Sequence, residues 1–415
     1  ARVPIGFGMA IVGIGGSATI IGISPALSIL ADSPLRTATS YIFGLVPLFI
    51  LMGTITSRSG MSRELFDVGN AWLGNRRGGM AMGTIAACAG FAAVCGSSVA
   101  TAAAMSTIAI PEMRSNGYSP KMACGVVAAG GTLGVMIPPS LGLALYGVIV
   151  EQDIGALFIA GILPGLLGAV LYIAMVQILA WIQPAALPSP AVPSTWSERW
   201  RSLRGVWAMM VLFLFIIGGL YGGIFAPTEA AAMGAVSAYL IALSRRRLGF
   251  KQLIACLVET VRTTGSVVTI VIGAILFGHF LTLTQTPQTV AEIVGALPIH
   301  RYATLALILL TFLLLGCVLE VVAMVLLVVP IVYPLILALG FDPIWFGVIV
   351  VMTIELGLIT PPVGMNVFVI KSIVGDVTLS TIYRGVAPFI LTDVVRLILL
   401  IVIPSIATFL PSTMG

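Results

Sequence analysis

"GVMIPPSLG", residues 134–142, sets two adjacent prolines inside an apolar run of membrane-crossing length, and "GLITPPVGM", residues 357–365, repeats the device 223 residues later. Proline lacks an amide hydrogen and its ring clashes with the preceding turn, so each pair must break a helix that contains it. Sliding the chain against itself by 223 residues also matches Pro4 with Pro227, Pro111 with Pro334, Pro120 with Pro343 and Gly134 with Gly357. A further two-residue shift aligns "ILMG" at 50–53 with "ILFG" at 275–278. Such matches mark shared backbone breaks rather than shared hydrophobicity, and the period is too long for a solenoid. The chain reads as two structural repeats.

Composition sets the solvent. With 59% hydrophobic and 8% charged residues and a mean hydropathy of +1.14, the chain belongs with integral membrane proteins. Residues 207–226 and 305–318 are continuously apolar, which fits helices and not the alternating polarity of a β-barrel strand. The fold class is therefore all-α and polytopic. The five cysteines (Cys88, Cys95, Cys124, Cys256, Cys317) form no CxxC and read as packing residues. Neither HExxH nor GxSxG occurs, and the two histidines are far apart, so the sequence does not read as an enzyme. The opening "ARVPIGFGMAIVG" shows no cleavable signal pattern.

The second copy yields five crossings at about 207–226, 228–243, 263–285, 343–371 and 385–411, with a re-entrant hairpin at about 302–339 between the third and fourth. Five is odd, so the repeats are expected to have inverted topology. The first would be residues 1–183, with a hairpin at about 78–114 and a broken helix at about 119–150. The second would be 206–415, with its broken helix at about 343–371, and residues 184–205 would link the two. An apolar helix precedes "APTEAAAMG" in the second copy and has no counterpart before "VPIG", so a leading helix is expected to be missing from the first. The drawing gathers 17 of the 20 basic residues into loops on one side, leaving only Arg36, Arg301 and Arg396 elsewhere. That side is expected to be cytoplasmic and the C-terminus periplasmic.

Inverted repeats with broken helices put polar backbone at membrane depth, where it must line a cavity or hold a ligand. Each copy offers a hairpin tip and a break: "CGSSVATAAAMS" with "GGTLGVMIPPS", and "GCVLEVVAM" with "IELGLITPPVGMN". Carbonyls that lose their helical donors at the prolines, with Ser and Thr hydroxyls, suit a hard cation such as Na+. The helix that restarts beyond each break or tip offers free amides to a carboxylate. Glu320 and Glu355, at the second tip and before the second break, are candidates as buried carboxylates. Asp393 and Arg396, three apart, read as a self-neutralising pair, and Glu229 as an N-terminal cap. His279 is a weaker candidate for touching substrate.

"CGSSVATAAAMSTIAIPEM", "GGTLGVMIPPS", "FAPTEAAAMGAV" and "ELGLITPPVGMNVFV" resemble the large membrane (M) subunit of TRAP transporters, the tripartite ATP-independent periplasmic carriers, over essentially the whole chain. The resemblance implies Na+-coupled secondary uptake of an organic anion, usually a carboxylate or dicarboxylate, across the bacterial inner membrane by an elevator motion of the hairpins. It implies two or more coupling Na+ ions, a small four-helix membrane subunit (Q type), and a periplasmic substrate-binding protein (P type). Membrane lipid is the only other partner expected, and nucleic acid is not. Carried onto this sequence, a first Na+ site would use Gly96, Ser97, Ser98, Thr132, Gly134 and Ile137. A second would use Gly316, Glu320, Glu355, Gly357 and Thr360. Substrate would lie near Ser97, Ser98, Pro139, Pro362 and Asn366. The near alternative is a carboxylate transporter of similar architecture that uses Na+ or H+ without a binding protein.

Overall fold

The structure, a computed structural model, describes residues 4–184, 186–188, 194–295 and 300–414. Arg2 and most of the Pro-rich centre of the expected linker, at 185 and 189–193, lie outside these residues. Among the described residues the chain is helical, without strands. The first half runs α1 (Ile5–Ile21), α2 (Ile23–Thr39), α3 (Leu45–Arg58) and α4 (Met61–Leu73). Next come a hairpin of α5 (Gly79–Cys95) and α6 (Ser98–Ser115), a broken pair α7 (Pro120–Met136) and α8 (Leu141–Val150), and α9 (Ile154–Ile182). The second half runs α10 (Trp196–Tyr221), α11 (Pro227–Ser244), α12 (Phe250–Leu283) and α13 (Thr286–Gly295). A hairpin of α14 (Arg301–Gly316) and α15 (Val321–Ala338) follows, then a broken pair α16 (Pro343–Gly357) and α17 (Met365–Val374), α18 (Leu379–Val402) and the short α19 (Ser405–Thr408). Hairpin, broken helix and long helix thus occur twice in one order.

Among the described residues six helices are long and apolar enough to span a membrane, counting 120–150 as one broken span, and α2 with α3 makes a seventh bent by 58°. Three boundaries differ from the sequence reading. α10 starts at Trp196 rather than 207, because Thr195 Oγ1 accepts from Glu198 N (3.3 Å) while Glu198 Oε2 accepts from Thr195 N (2.8 Å), a reciprocal cap. α12 starts at Phe250 rather than 263: its 34 residues reach about 51 Å at ~1.5 Å each, so a charged leading third with Lys251, Glu259 and Arg262 extends past a ~30 Å hydrocarbon layer. α18 stops at Val402 rather than 411, since Pro404 cannot donate to the helix.

Between lipid-facing helices the hydrophobic effect supplies little drive, so close packing must hold them. A Cβ on Gly6 of α1 would come within 2.6 Å of the Thr269 carbonyl of α12, and one on Gly125 of α7 within 2.4 Å of the Gly385 backbone of α18. Charged groups tie the halves together at the helix ends: Glu64 accepts from Arg245 at 2.6 Å and pairs with Arg247 at 2.7 Å, and Arg58 donates to Glu259 at 2.6 Å. Glu229 Oε2 accepts from Ala226 N (2.9 Å) at the start of α11, the capping role read from sequence.

The two broken helices occupy the centre. Every residue of α7 from Met122 to Met136 and of α16 from Trp345 to Gly357 is buried, whereas α10, α12 and α18 turn side chains such as Leu214, Val261 and Leu391 outward. Freed backbone groups at membrane depth are tolerated only inside protein, which is why the helices that break are the ones wrapped by the others.

Candidate binding site

Each hairpin tip is seated on the break of its own half. At the first tip α5 ends at Cys95, and Gly96 turns the chain with φ of 65°, a conformation costly for any residue with a Cβ. Ser97 caps α6, its hydroxyl accepting from Ala100 N (3.3 Å), and its carbonyl accepts from Thr101 Oγ1 (2.8 Å). The break at Pro138 and Pro139, joined by a cis peptide, lies against this turn. A Cβ on Gly134 would sit 2.5 Å from the Ser97 carbonyl oxygen, and one on Gly96 2.5 Å from the Pro139 oxygen, so only glycines permit the contact. Leu141 N donates to Gly96 O at 3.4 Å. Ser140 caps α8, accepting from Leu143 N (3.1 Å) while its hydroxyl donates to the Val135 carbonyl.

The second seat repeats the plan. Gly357 packs on Gly316, where a Cβ would approach the Gly316 carbonyl carbon to 2.6 Å, and Gly364 N donates to Cys317 O at 3.0 Å. Pro361 and Pro362, again cis, follow Thr360, whose hydroxyl donates to Leu356 O at 2.6 Å. Glu320 stands at the N-cap of α15 without a side-chain bond to its amides.

Between the tips lies a cavity of about 210 Å³. Gly96, Ser97 and Ser98 line it from the first tip, Glu320 and Val321 from the second, and Leu358 from the second break. Its remaining wall includes Thr263 and Val267 of α12, which the sequence reading did not select. "RTTGS" at 262–266 is the polar stretch that ends the charged leading third of α12 and was the signal available.

Several residues stand elsewhere than expected. Asn366, fully buried, donates from Nδ2 to Ser98 Oγ (2.7 Å) and Ala128 O (3.4 Å), tying the second break to the first tip from behind the cavity wall. Pro362 is exposed and its carbonyl accepts from Tyr383 OH (3.1 Å). Thr132 bonds to Ala129 O (2.7 Å) and lies 3.1 Å from Tyr172 OH, away from the tip two residues further along. Ile137 packs its side chain against Gly165 of α9. Glu355 is paired with Arg396 at 3.6 Å and makes no bond to the second tip, because its position on α16 turns it toward α18. Asp393 and Arg396 are therefore not a self-contained pair. His279 lines a separate cavity of about 330 Å³ with Asp32, Ser33 and Arg36.

The sequence that builds these seats matches a known family over nearly its whole length. The family model described as "Tripartite ATP-independent periplasmic transporter, DctM component" matches residues 1–406. The chain belongs to the DctM family. A C4-dicarboxylate TRAP transporter large permease protein of Pseudomonas aeruginosa is 36% identical over 389 residues, covering 93% of this chain and 90% of its own. A sialic acid TRAP transporter large permease protein of Vibrio cholerae is 32% identical over 413 residues, covering 99% and 95%. The solved Alcanivorax borkumensis YdaH transporter is similar in fold alone, with a TM-score of 0.62, 14% identity, and coverage of 94% and 89%. This DctM chain is thus the large permease component of a TRAP transporter, a multi-pass membrane protein and not an enzyme.

Proposed function

We propose that this DctM chain carries an organic anion, a dicarboxylate or other carboxylate, inward across the bacterial inner membrane in symport with Na+. The observation that carries the reading is the cavity flanked by two hairpin tips, each seated on its own proline break. Ser97 and Ser98 offer hydroxyls beside the first amides of α6, a suitable end for a carboxylate. Glu320 brings a negative charge to the same cavity. An anion entering alone meets that charge at low dielectric, whereas Na+ beside Glu320 cancels it, so cation and anion favour each other's binding. That mutual dependence is what symport needs.

The twofold order of hairpin, break and long helix fits two inverted repeats, with the hairpins moving together as an elevator against a scaffold that includes α12. The relatives' names, among them a C4-dicarboxylate and a sialic acid permease, supply the substrate class. By family membership we assign a periplasmic binding protein as the source of substrate and a small membrane subunit as companion, with the C-terminus periplasmic. Reconstitution with the small subunit tests the whole reading, using radiolabelled succinate and sialic acid as probes. Uptake is expected only with an inward Na+ gradient and added binding protein. Uptake that needs neither would overturn the proposal, and uptake driven by a proton gradient without binding protein would establish the alternative carrier.

A further inference from the structure

Five buried residues form a line of polar contacts that the transport cavity does not use. Arg396 of α18 lies wholly inside the protein, Nη1 at 3.6 Å from Glu355 Oε2 and 3.5 Å from Asp393 Oδ1, with Nε donating to Pro164 O of α9 at 3.1 Å. Gly168 makes room for the guanidinium, since a Cβ there would come within 2.6 Å of Arg396 Cζ. Asp393 Oδ2 accepts from Tyr172 OH at 2.5 Å, and the Tyr172 oxygen stands 3.1 Å from Thr132 Oγ1. Thr132, Tyr172, Asp393, Arg396 and Glu355 thus join α7, α9, α18 and α16.

Buried charges at membrane depth are costly, and an Asp393–Arg396 pair by itself would already be neutral. Adding Glu355 raises the cost without improving the balance, so neutrality does not account for it. Its position does. Thr132 lies two residues before Gly134, the seat of the first tip, and Glu355 two residues before Gly357, the seat of the second. One end of the line is fixed to each break.

We infer that this line couples the two seats, with Tyr172, Asp393, Arg396 and Glu355 as positioning residues that relay a shift of α7 on the first break to α16 on the second. The line runs by hydroxyl contact from Thr132 to Tyr172, by a hydrogen bond from Tyr172 to Asp393, and by ion pairs from Asp393 through Arg396 to Glu355, a contiguous set of contacts between two rigid helices of the kind that coupling requires. The inference rests on the reading that each seat answers to a coupling cation. Its consequence is that loading one seat favours loading the other.

Tyr172→Phe removes one hydroxyl from the middle of the line and leaves every charge and the ring packing in place. In the reconstituted permease, sodium titration of uptake is expected to give a Hill coefficient approaching about 2 for the unaltered chain and about 1 for Tyr172→Phe. Because Asp393 Oδ2 loses its donor, the melting temperature is expected to fall, but a merely structural role would leave the Hill coefficient at the value of the unaltered chain. A Hill coefficient equal to that of the unaltered chain would overturn the coupling. Hydrogen exchange of residues 96–101 gives a second readout from the far end. Glu355→Gln is expected to speed exchange at this first tip about tenfold, with or without sodium, and an unchanged rate overturns the coupling. An unaltered chain whose uptake ignores sodium overturns the sodium reading instead, and the exchange rates then decide the coupling alone.

Discussion

The two breaks share their prolines but not the fate of the carbonyls those prolines release. At the first, Pro138 and Pro139 remove the donors due to Gly134 O and Val135 O; Ser140 supplies a hydroxyl to Val135, and among the described residues no amide replaces the donor to Gly134. At the second, Gly357 O accepts from Thr360 N and Leu358 O from Asn366 N, both at 3.1 Å, so both are satisfied within the chain. The tips differ in the complementary sense. The first carries Ser97, Ser98 and Thr101, all neutral, and the second carries Glu320. One seat offers a free carbonyl with hydroxyls, the other a carboxylate. The same motif therefore builds two seats of different chemistry, which on the proposed function would hold their cations differently.

The largest effects are expected where a tip meets its break. Gly134→Val and Gly357→Val each drive a side chain into backbone at 2.5–2.6 Å, an overpacking that costs about 1–3 kcal/mol even where neighbours can move. Both should abolish uptake while the protein still reaches the membrane, as judged by expression and gel filtration. Transport surviving at one seat alone would show that only the other is essential. An intermediate effect separates the hydroxyls. Ser98→Ala removes a cavity hydroxyl and the acceptor for Asn366, and should raise the half-saturating sodium concentration several-fold. Thr360→Val, whose hydroxyl is already bonded to Leu356 O, should shift it less; the reverse order would make the second seat the more demanding one.

The smallest effect is expected at an exposed ion pair. The Arg114 guanidinium bonds Asp376 at 2.8 Å and holds its carboxyl below the usual carboxylate value. A lowered value means that the stabilisation is present at neutral pH and is lost as pH falls through it, below about 4. Both partners are solvent-exposed, so Asp376→Asn should leave the melting temperature at neutral pH nearly unchanged and flatten its decline in acid. A large loss at neutral pH would mean that this link between the end of α6 and the loop before α18 holds the two halves together.

Much of this was legible in the chain. The prolines at 138, 139, 361 and 362 could only be breaks, because no context restores a missing amide. The matched glycines at 134 and 357 read as part of the breaks, their close approach to the tips showing only in the structure, and continuous apolar runs fixed helices in a membrane. The family followed from the same motifs. Other features depended on direction around a helix axis. Glu355 and Gly357 are two residues apart yet face different neighbours, Arg396 and Gly316, since a helix turns roughly 100° per residue. Thr132 and Gly134 divide in the same way between Tyr172 and Ser97. The reach of Asn366 to Ser98 and the approach of Thr263 to the cavity are contacts between distant segments, which spacing along one chain does not encode. Sequence determined where the helices break. Tertiary packing alone decided which polar groups meet there, because it sets the rotation of each helix against its neighbours.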